Sequence, residues 1–233
     1  MFNLRSLGIT TIVFDVGWTL FSETRRLAAT MRDVSVQLKS LGYCISPVIL
    51  FESYRKAAVA PDLWLNSVFI QALCLSGVSL VHAVALRTKS TWNSYALDIY
   101  FDTKANLKHF YTLGYDLWVL GNQEKSTRGV LSDSGCFEWV SPYNVLLSKD
   151  VGLKKPDPCF FNLLFSDGDG IMPSNVLYVG DRPDHDITPC HRLGINTARV
   201  RRGPFKIQAT PPLAPGVLHF DLVDGGSLQD TFT

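Results

Sequence analysis

Thr10-Thr11-Ile12-Val13-Phe14-Asp15-Val16-Gly17-Trp18-Thr19-Leu20 is the stretch from which the rest of the chain is read. Five residues of high β-propensity run into one carboxylate, and a threonine follows four positions on. An uninterrupted apolar run of this length fits a strand buried on both faces, as at the centre of a parallel sheet. Such a strand ends in a loop outside its carboxyl end, where α/β sheets place their ligands. An acid there is costly unless it has a task, although taken alone Asp15 reads equally well as a helix-capping or loop residue.

Composition narrows the classes. With 233 residues, 46% of them hydrophobic and 18% charged, the chain is long enough to bury a sizeable core. A net charge of +1 gives no global field for nucleic acid or an anionic membrane, and neither partner is expected. The cluster Arg199, Arg201, Arg202 reads first as a solvated edge. Five cysteines, odd in number and without a CxxC pair, argue against a disulfide framework or a zinc knuckle and for a reducing, cytoplasmic setting. No signal peptide is expected, since the first apolar run is short and stops at Asp15. The most hydrophobic window, Val68 to Leu86, is broken by Gln71, Ser76, Gly77, Ser79 and His82, and reads as buried helix rather than a membrane span.

After Leu20 the period changes. Leu27, Met31, Val34, Leu38 and Leu41 share one helical face, and Gly42 supplies a stop. Ser46-Pro47 predicts an N-cap with proline at the first helical position. Further helical patterns cover Leu63 to Cys74 and Leu80 to Tyr95. Residues 22–101 thus read as an all-helical block without a strand. From Asp102 onward strands alternate with helices. The strands are Leu117–Leu120, Asn144–Leu147, Val176–Val179 and Asn196–Arg201, with a last edge strand at Val217–Leu222; one helix runs from Pro158 to Phe165 behind an Asp157 cap. That alternation implies right-handed βαβ units and a parallel sheet. The expected architecture is an α/β, Rossmann-like core (1–21 and 102–233) with an inserted helical cap (22–101), whose natural use is as a lid. Trp64, Phe69, Trp92, Tyr95, Tyr100 and Phe101 read as core of the cap or its hinge. Trp18, Arg25, Arg26, Arg55 and Trp64 can be placed at an entrance, but each reads first as a packing or solvated residue.

Three strands end in polar residues at comparable places: Asp15, Gly121-Asn122 and Gly180-Asp181. A parallel sheet brings such ends to one edge, and Gly152-Leu153-Lys154-Lys155-Pro156-Asp157-Pro158 can carry a lysine there. Carboxylates on adjacent strands beside a lysine suit a divalent cation and a phosphate. In this, nearly the whole chain resembles the haloacid dehalogenase-like (HAD) superfamily of largely Mg2+-dependent phosphatases. Its first motif matches Asp15-Val16-Gly17-Trp18-Thr19, its second Val119-Leu120-Gly121-Asn122 and its lysine motif Lys155-Pro156-Asp157-Pro158. Its acidic motif matches Gly180-Asp181 with Asp186.

The resemblance implies a small phosphorylated substrate and a nucleophilic Asp15 that forms an aspartyl-phosphate. It implies Mg2+ held by Asp15, the Gly17 carbonyl and Asp181, with Asp186 behind them or bound through water. Lys155 would neutralise the nucleophile and a phosphate oxygen, and Gly121 and Asn122 would line the phosphate. Lys154 competes with Lys155, which the following proline favours; Asp184 competes with Asp186, which the spacing favours. Asp157 reads as a helix cap and His185 as a loop residue. Two departures stand out. Gly17 replaces a second aspartate that would protonate the leaving group, and Gly121 replaces a serine or threonine. A catalytically weakened or non-catalytic binding or regulatory relative is therefore the alternative. A metal-free 2-haloacid dehalogenase fits less well, because Asp181 and Asp186 are present. A phosphonatase would need a cap lysine, for which Lys56 and Lys89 are nominal candidates. The sequence does not choose between a monomer and a homodimer.

Overall fold

The computed structural model describes residues 2–60, 67–89, 97–166, 170–222 and 228–233. By their contacts they fall into two units: Met1–Ser22 with Ile99–Arg202 and Ala209–Thr233, and Glu23–Asp98 with Gly203–Gln208.

In the first unit, β1 (Thr11–Phe14) lies at the centre of a six-stranded sheet. It is flanked by β4 (Asp116–Gly121) and β6 (Val176–Gly180), then by β5 (Val145–Leu147) on one side and β7 (Asn196–Val200) and β8 (His219–Leu222) on the other. Every pairing is parallel. All four β1 residues are buried, as an apolar run between two neighbours requires. The register sets the site: Phe14 lies beside both Val119 and Val179. Asp15 therefore leaves the sheet where Gly121 ends β4 and Gly180 ends β6. One face packs Val13, Trp118, Leu120 and Tyr178 against Phe160, Phe161 and Leu164.

The chain departs from the sequence reading locally. Two short strands, β2 (Phe21–Ser22) and β3 (Asp98–Ile99), bracket the segment expected to hold none. The helix expected over 158–165 is α8 (Pro158–Asn162) followed by a 3-10 turn, with the Asp157 carboxylate accepting from Cys159 N as its cap. Phe101, read as core or hinge, is 94% exposed. Phe69 is buried. Trp64, Trp92, Tyr95, the expected helix start at Leu63 and the expected helix end at Tyr95 lie outside the described residues.

The second unit is built on α1 (Thr24–Ser40), α2 (Pro47–Val59), α3 (Val68–Leu75) and α4 (Leu80–Lys89). α1 buries Leu27, Met31, Val34 and Leu38 of the face its spacing predicts, whereas Leu41, expected on that face, follows the end of the helix and is exposed. Ser46 caps α2 by accepting from Ile49 N, with Pro47 at its first position. Arg25 pairs with Asp98, Arg26 with Glu23 and Arg55 with Glu52, so the three arginines placed at a possible entrance all engage carboxylates of their own unit. Lys56 is exposed. Gly203–Gln208, left with the α/β core in the sequence reading, joins this unit through an edge contact of Phe205 on Tyr54. Among the described residues, no helix is long and apolar enough to cross a membrane, and all five cysteines are free thiols.

Candidate active site

Five side chains from four segments meet where β1, β4 and β6 end. Asp15 follows β1, Lys155 arrives on the loop before α8, and Tyr178 and Asp181 flank the end of β6. Asp186 comes from the π-turn Pro183–Ile187. All five are buried.

Lys155 is the hub. Its ammonium donates to Asp15 Oδ1 at 2.5 Å, to Asp186 Oδ1 at 2.6 Å and to the Tyr178 hydroxyl at 2.9 Å. Lysine has three N–H donors, so each is used. The lysine's backbone is fixed as well: Asn122 Nδ2 donates to its carbonyl at 2.9 Å, and its N–H donates to Asn122 Oδ1 at 2.7 Å. Of the two candidate lysines, Lys155 enters the cluster and Lys154 is exposed. The Asn122 amide thus gives its oxygen and one of its two Nδ2 hydrogens to the lysine loop.

Asp15 is further approached by Thr19 Oγ1, 3.5 Å from its Oδ2. Between them the backbone turns sharply, with Leu20 and Phe21 N–H both donating to Val16 O and Trp18 N–H to Phe21 O. Trp18 has φ +56°, the one positive value recorded for a non-glycine among the described residues. For a bulky L-residue that geometry costs roughly 1–2 kcal/mol. The indole is buried.

Asp186 and Asp184, the competing second acids, part company. Asp186 Oδ1 holds Lys155 and the Tyr178 hydroxyl, and its Oδ2 accepts from Arg182 N at 3.0 Å. Asp184 turns away to Arg182 and to His185, whose Nδ1 lies 2.9 Å from its carboxylate. Those partners outweigh burial and hold Asp184 below the usual carboxylate range. Asp181 differs from both, because its Oδ2 is buried without a hydrogen-bond partner among the described residues. One oxygen from each of Asp15, Asp181 and Asp186 lies within 4.8 Å of the others.

Three carboxylates cluster around one ammonium that pairs with two of them, and the electrostatics follow the imbalance. Burial pushes the Asp15 carboxyl up to about 7 against the pull of Lys155, with Asp186 adding to the rise. Burial, then Asp186 and Asp15, push Asp181 well above its ordinary value. Burial alone would lower the Lys155 pKa, but Asp15 and Asp186 reverse its sign and keep the ammonium charged. A divalent cation fits this donor set: hard oxygens, excess negative charge and an unpartnered buried oxygen on Asp181.

The glycines at the two flanking strand ends are sterically required. A Cβ on Gly180 would lie 2.6 Å from Asp186 Cγ, and one on Gly121 would lie 2.8 Å from Val16 Cγ2. The arginine cluster is not a solvated edge. Arg199 is fully buried and donates to Thr210 Oγ1 at 2.7 Å, while Arg201 pairs with Asp221. Arg202 donates to Thr19 O at 2.9 Å, pairs with Asp102 and lies 4.4 Å above the Tyr100 ring, which ties the loop after Asp15 to the segment after β3.

Two features escaped the sequence reading. Tyr178 looks like one more apolar strand residue, and nothing in its neighbours announces its hydroxyl contacts. Arg202 had a signal in its charge cluster, but no pattern pointed to Thr19 or Asp102.

Comparison with known proteins identifies relatives and the family. Part of the chain is 38% identical over 64 residues to a glyceraldehyde 3-phosphate phosphatase of Methanopyrus kandleri, covering 28% of this chain and 27% of that protein. It is 36% identical over 76 residues to a phosphoserine phosphatase of Thermus thermophilus, covering 32% and 30%. The matched stretch thus spans less than a third of either relative. Among solved structures, a predicted phosphoglycolate phosphatase from Haemophilus somnus shares the fold with a TM-score of 0.60 at 18% identity, covering 91% of this chain and 94% of that one. A HAD phosphatase from Thermococcus onnurineus does so with a TM-score of 0.55 at 19% identity, covering 92% and 93%. The profile of the haloacid dehalogenase-like hydrolases matches residues 79–200, just over half of the sequence. The chain belongs to the haloacid dehalogenase-like hydrolase family.

Proposed function

We propose that the protein is a phosphohydrolase acting on a small phosphorylated metabolite through an aspartyl-phosphate at Asp15. The observation that carries the reading is the buried Lys155 ammonium, 2.5 Å from Asp15 and 2.6 Å from Asp186, beside an Asp181 oxygen without a hydrogen-bond partner among the described residues. An Asp15 carboxylate oxygen would attack phosphorus, forming the O–P bond of an acyl phosphate as the bond to the leaving oxygen breaks. Water would then attack phosphorus and release inorganic phosphate with Asp15 restored. Lys155 keeps Asp15 oriented and offsets charge on the phosphoryl oxygens. Backbone N–H groups at Gly121 and Asn122 are the donors for those oxygens.

Mg2+ would be held by Asp15, the Gly17 carbonyl and Asp181, where it supplies positive charge opposite the phosphoryl group. Both Asp186 oxygens already accept hydrogen bonds, which supports its place behind the direct ligands or in contact through water. With Gly17 where an acid would stand, substrates whose leaving group is stable as an anion should react best.

The test is phosphate release from a panel of phosphomonoesters, with Mg2+ and with chelator, beside Asp15→Asn. Glyceraldehyde 3-phosphate and phosphoserine, named in the relatives, head the panel. Release that needs Mg2+ and is lost in the variant supports the reading. A second reading, a weakened or non-catalytic relative, is favoured by one observation: Val16 occupies the space a side chain at 121 would need. Metal binding without turnover on any ester would select it.

A further inference from the structure

We infer that Tyr178 is a positioning residue, whose hydroxyl fixes the Lys155 ammonium between Asp15 and Asp186. Tyr178 belongs to β6 and its ring is wholly buried, with Phe161 against it edge-on at 5.7 Å between centroids. The ring therefore has no freedom to carry its hydroxyl elsewhere. That hydroxyl lies 2.9 Å from Lys155 Nζ, 3.1 Å from Leu120 O and 3.2 Å from Asp186 Oδ1.

The donor count defines what the hydroxyl does. Toward Lys155 it accepts, because an ammonium can only donate; its single hydrogen then goes to Leu120 O or Asp186 Oδ1. β1 lies between β4 and β6, so the contact with Leu120 spans the central strand. One oxygen thus joins the strand leading to Gly121, the lysine loop and the acidic turn. Asp15 and Asp186 alone would leave the ammonium between two anions, free to lean toward either. The hydroxyl supplies a third anchor, and a rigid strand holds that anchor in place. The role in catalysis rests on the phosphohydrolase reading above, whereas the placement of the ammonium does not.

The test separates the two. In 15N-lysine-labelled protein, the Lys155 ammonium should give a slowly exchanging resonance with cross-relaxation to the Tyr178 ring protons. Tyr178→Phe keeps the ring and removes the oxygen, and Tyr178→Met serves if the phenylalanine variant does not fold. Either should speed ammonium hydrogen exchange roughly tenfold or more, the scale of one hydrogen bond to a charged group, while thermal unfolding confirms the fold. With an active ester in hand, Tyr178→Phe should lower kcat roughly tenfold on the same scale, with KM little changed. An unprotected Lys155 ammonium in the unaltered protein, or the same exchange rate with and without the hydroxyl, overturns the inference. An intact exchange effect in a protein that hydrolyses no ester upholds the placement and instead counts against the phosphohydrolase reading.

Discussion

Val16 Cγ2 stands 2.8 Å from where a Cβ on Gly121 would be, so the residue after Asp15 and the residue ending β4 share one side chain's space. Val16 is fully buried and β-branched, and it cannot swing aside cheaply. The missing hydroxyl at 121 is therefore coupled to a particular residue at 16. Gly121→Ser alone should cost roughly 1–3 kcal/mol of stability through overpacking. In a Val16→Ala background the same change should cost much less, because the opposing methyls are gone. Urea unfolding of the two single variants and the double variant measures the coupling. Additive effects would mean that the space is not shared.

Most of the fold was readable because the signals are local. Thr11–Phe14 is an apolar run that only a central strand buries on both faces, and Ser46-Pro47 writes its own cap. The acids were readable because Asp15 and Asp181 each directly follow a strand of one parallel sheet. What stayed hidden depends on approach across the sheet. The Tyr178 hydroxyl finds Leu120 two strands away, and Arg202 finds Thr19 at a separation of 183 residues. Arg199 lies on β7, an inner strand whose five residues are all buried, a fact that its charged neighbours in sequence conceal. Spacing alone favours Asp186 over Asp184, but it does not show the π-turn that aims one acid inward and leaves the other to Arg182 and His185.

The acid cluster gives stability a pH dependence of definite sign. Asp15 is raised from 3.8 to about 7 by burial, and Asp181 is raised as well. A raised carboxyl stabilises the fold fully below its unfolded pKa, and that contribution is lost as pH rises through the folded value. Without metal, the melting temperature should therefore fall by several degrees between about pH 5 and pH 8. Mg2+ should restore it, most strongly at the alkaline end, where the carboxylates are ionised. Calorimetry in chelator and in Mg2+ provides the comparison. A metal effect equal at both pH values would contradict a site made of these acids.

Gly180 is held to glycine by Asp186, whose Cγ, Cβ and Oδ2 all lie within 2.7 Å of where an added methyl would sit. Gly180→Ala should displace Asp186, and with it an acceptor of Lys155 and the acceptor of the Arg182 N–H. The expected result is a loss of roughly 1–3 kcal/mol in stability. Activity should drop by more than the folded fraction does, since the ammonium loses one of its anchors. A folded, fully active Gly180→Ala protein would show that Asp186 has room to retreat.

Gly17 offers the most direct test of how the chemistry has been altered. In the proposed reaction the departing oxygen must leave as an anion or collect a proton, and residue 17 brings no acid to it. The penalty should grow with the basicity of the leaving group. Aryl or acyl phosphates should therefore turn over faster than alkyl esters such as phosphoserine. Gly17→Asp would put a carboxyl two residues after the nucleophile, and general acid catalysis is typically worth about 10²–10⁴ in rate. The gain should appear on alkyl phosphates and be small on acyl phosphates, whose leaving group needs no proton. Plotting log kcat/KM against leaving-group pKa for both proteins reads this as a change of slope. An unchanged slope in a folded variant would mean that protonation at this position does not limit the reaction.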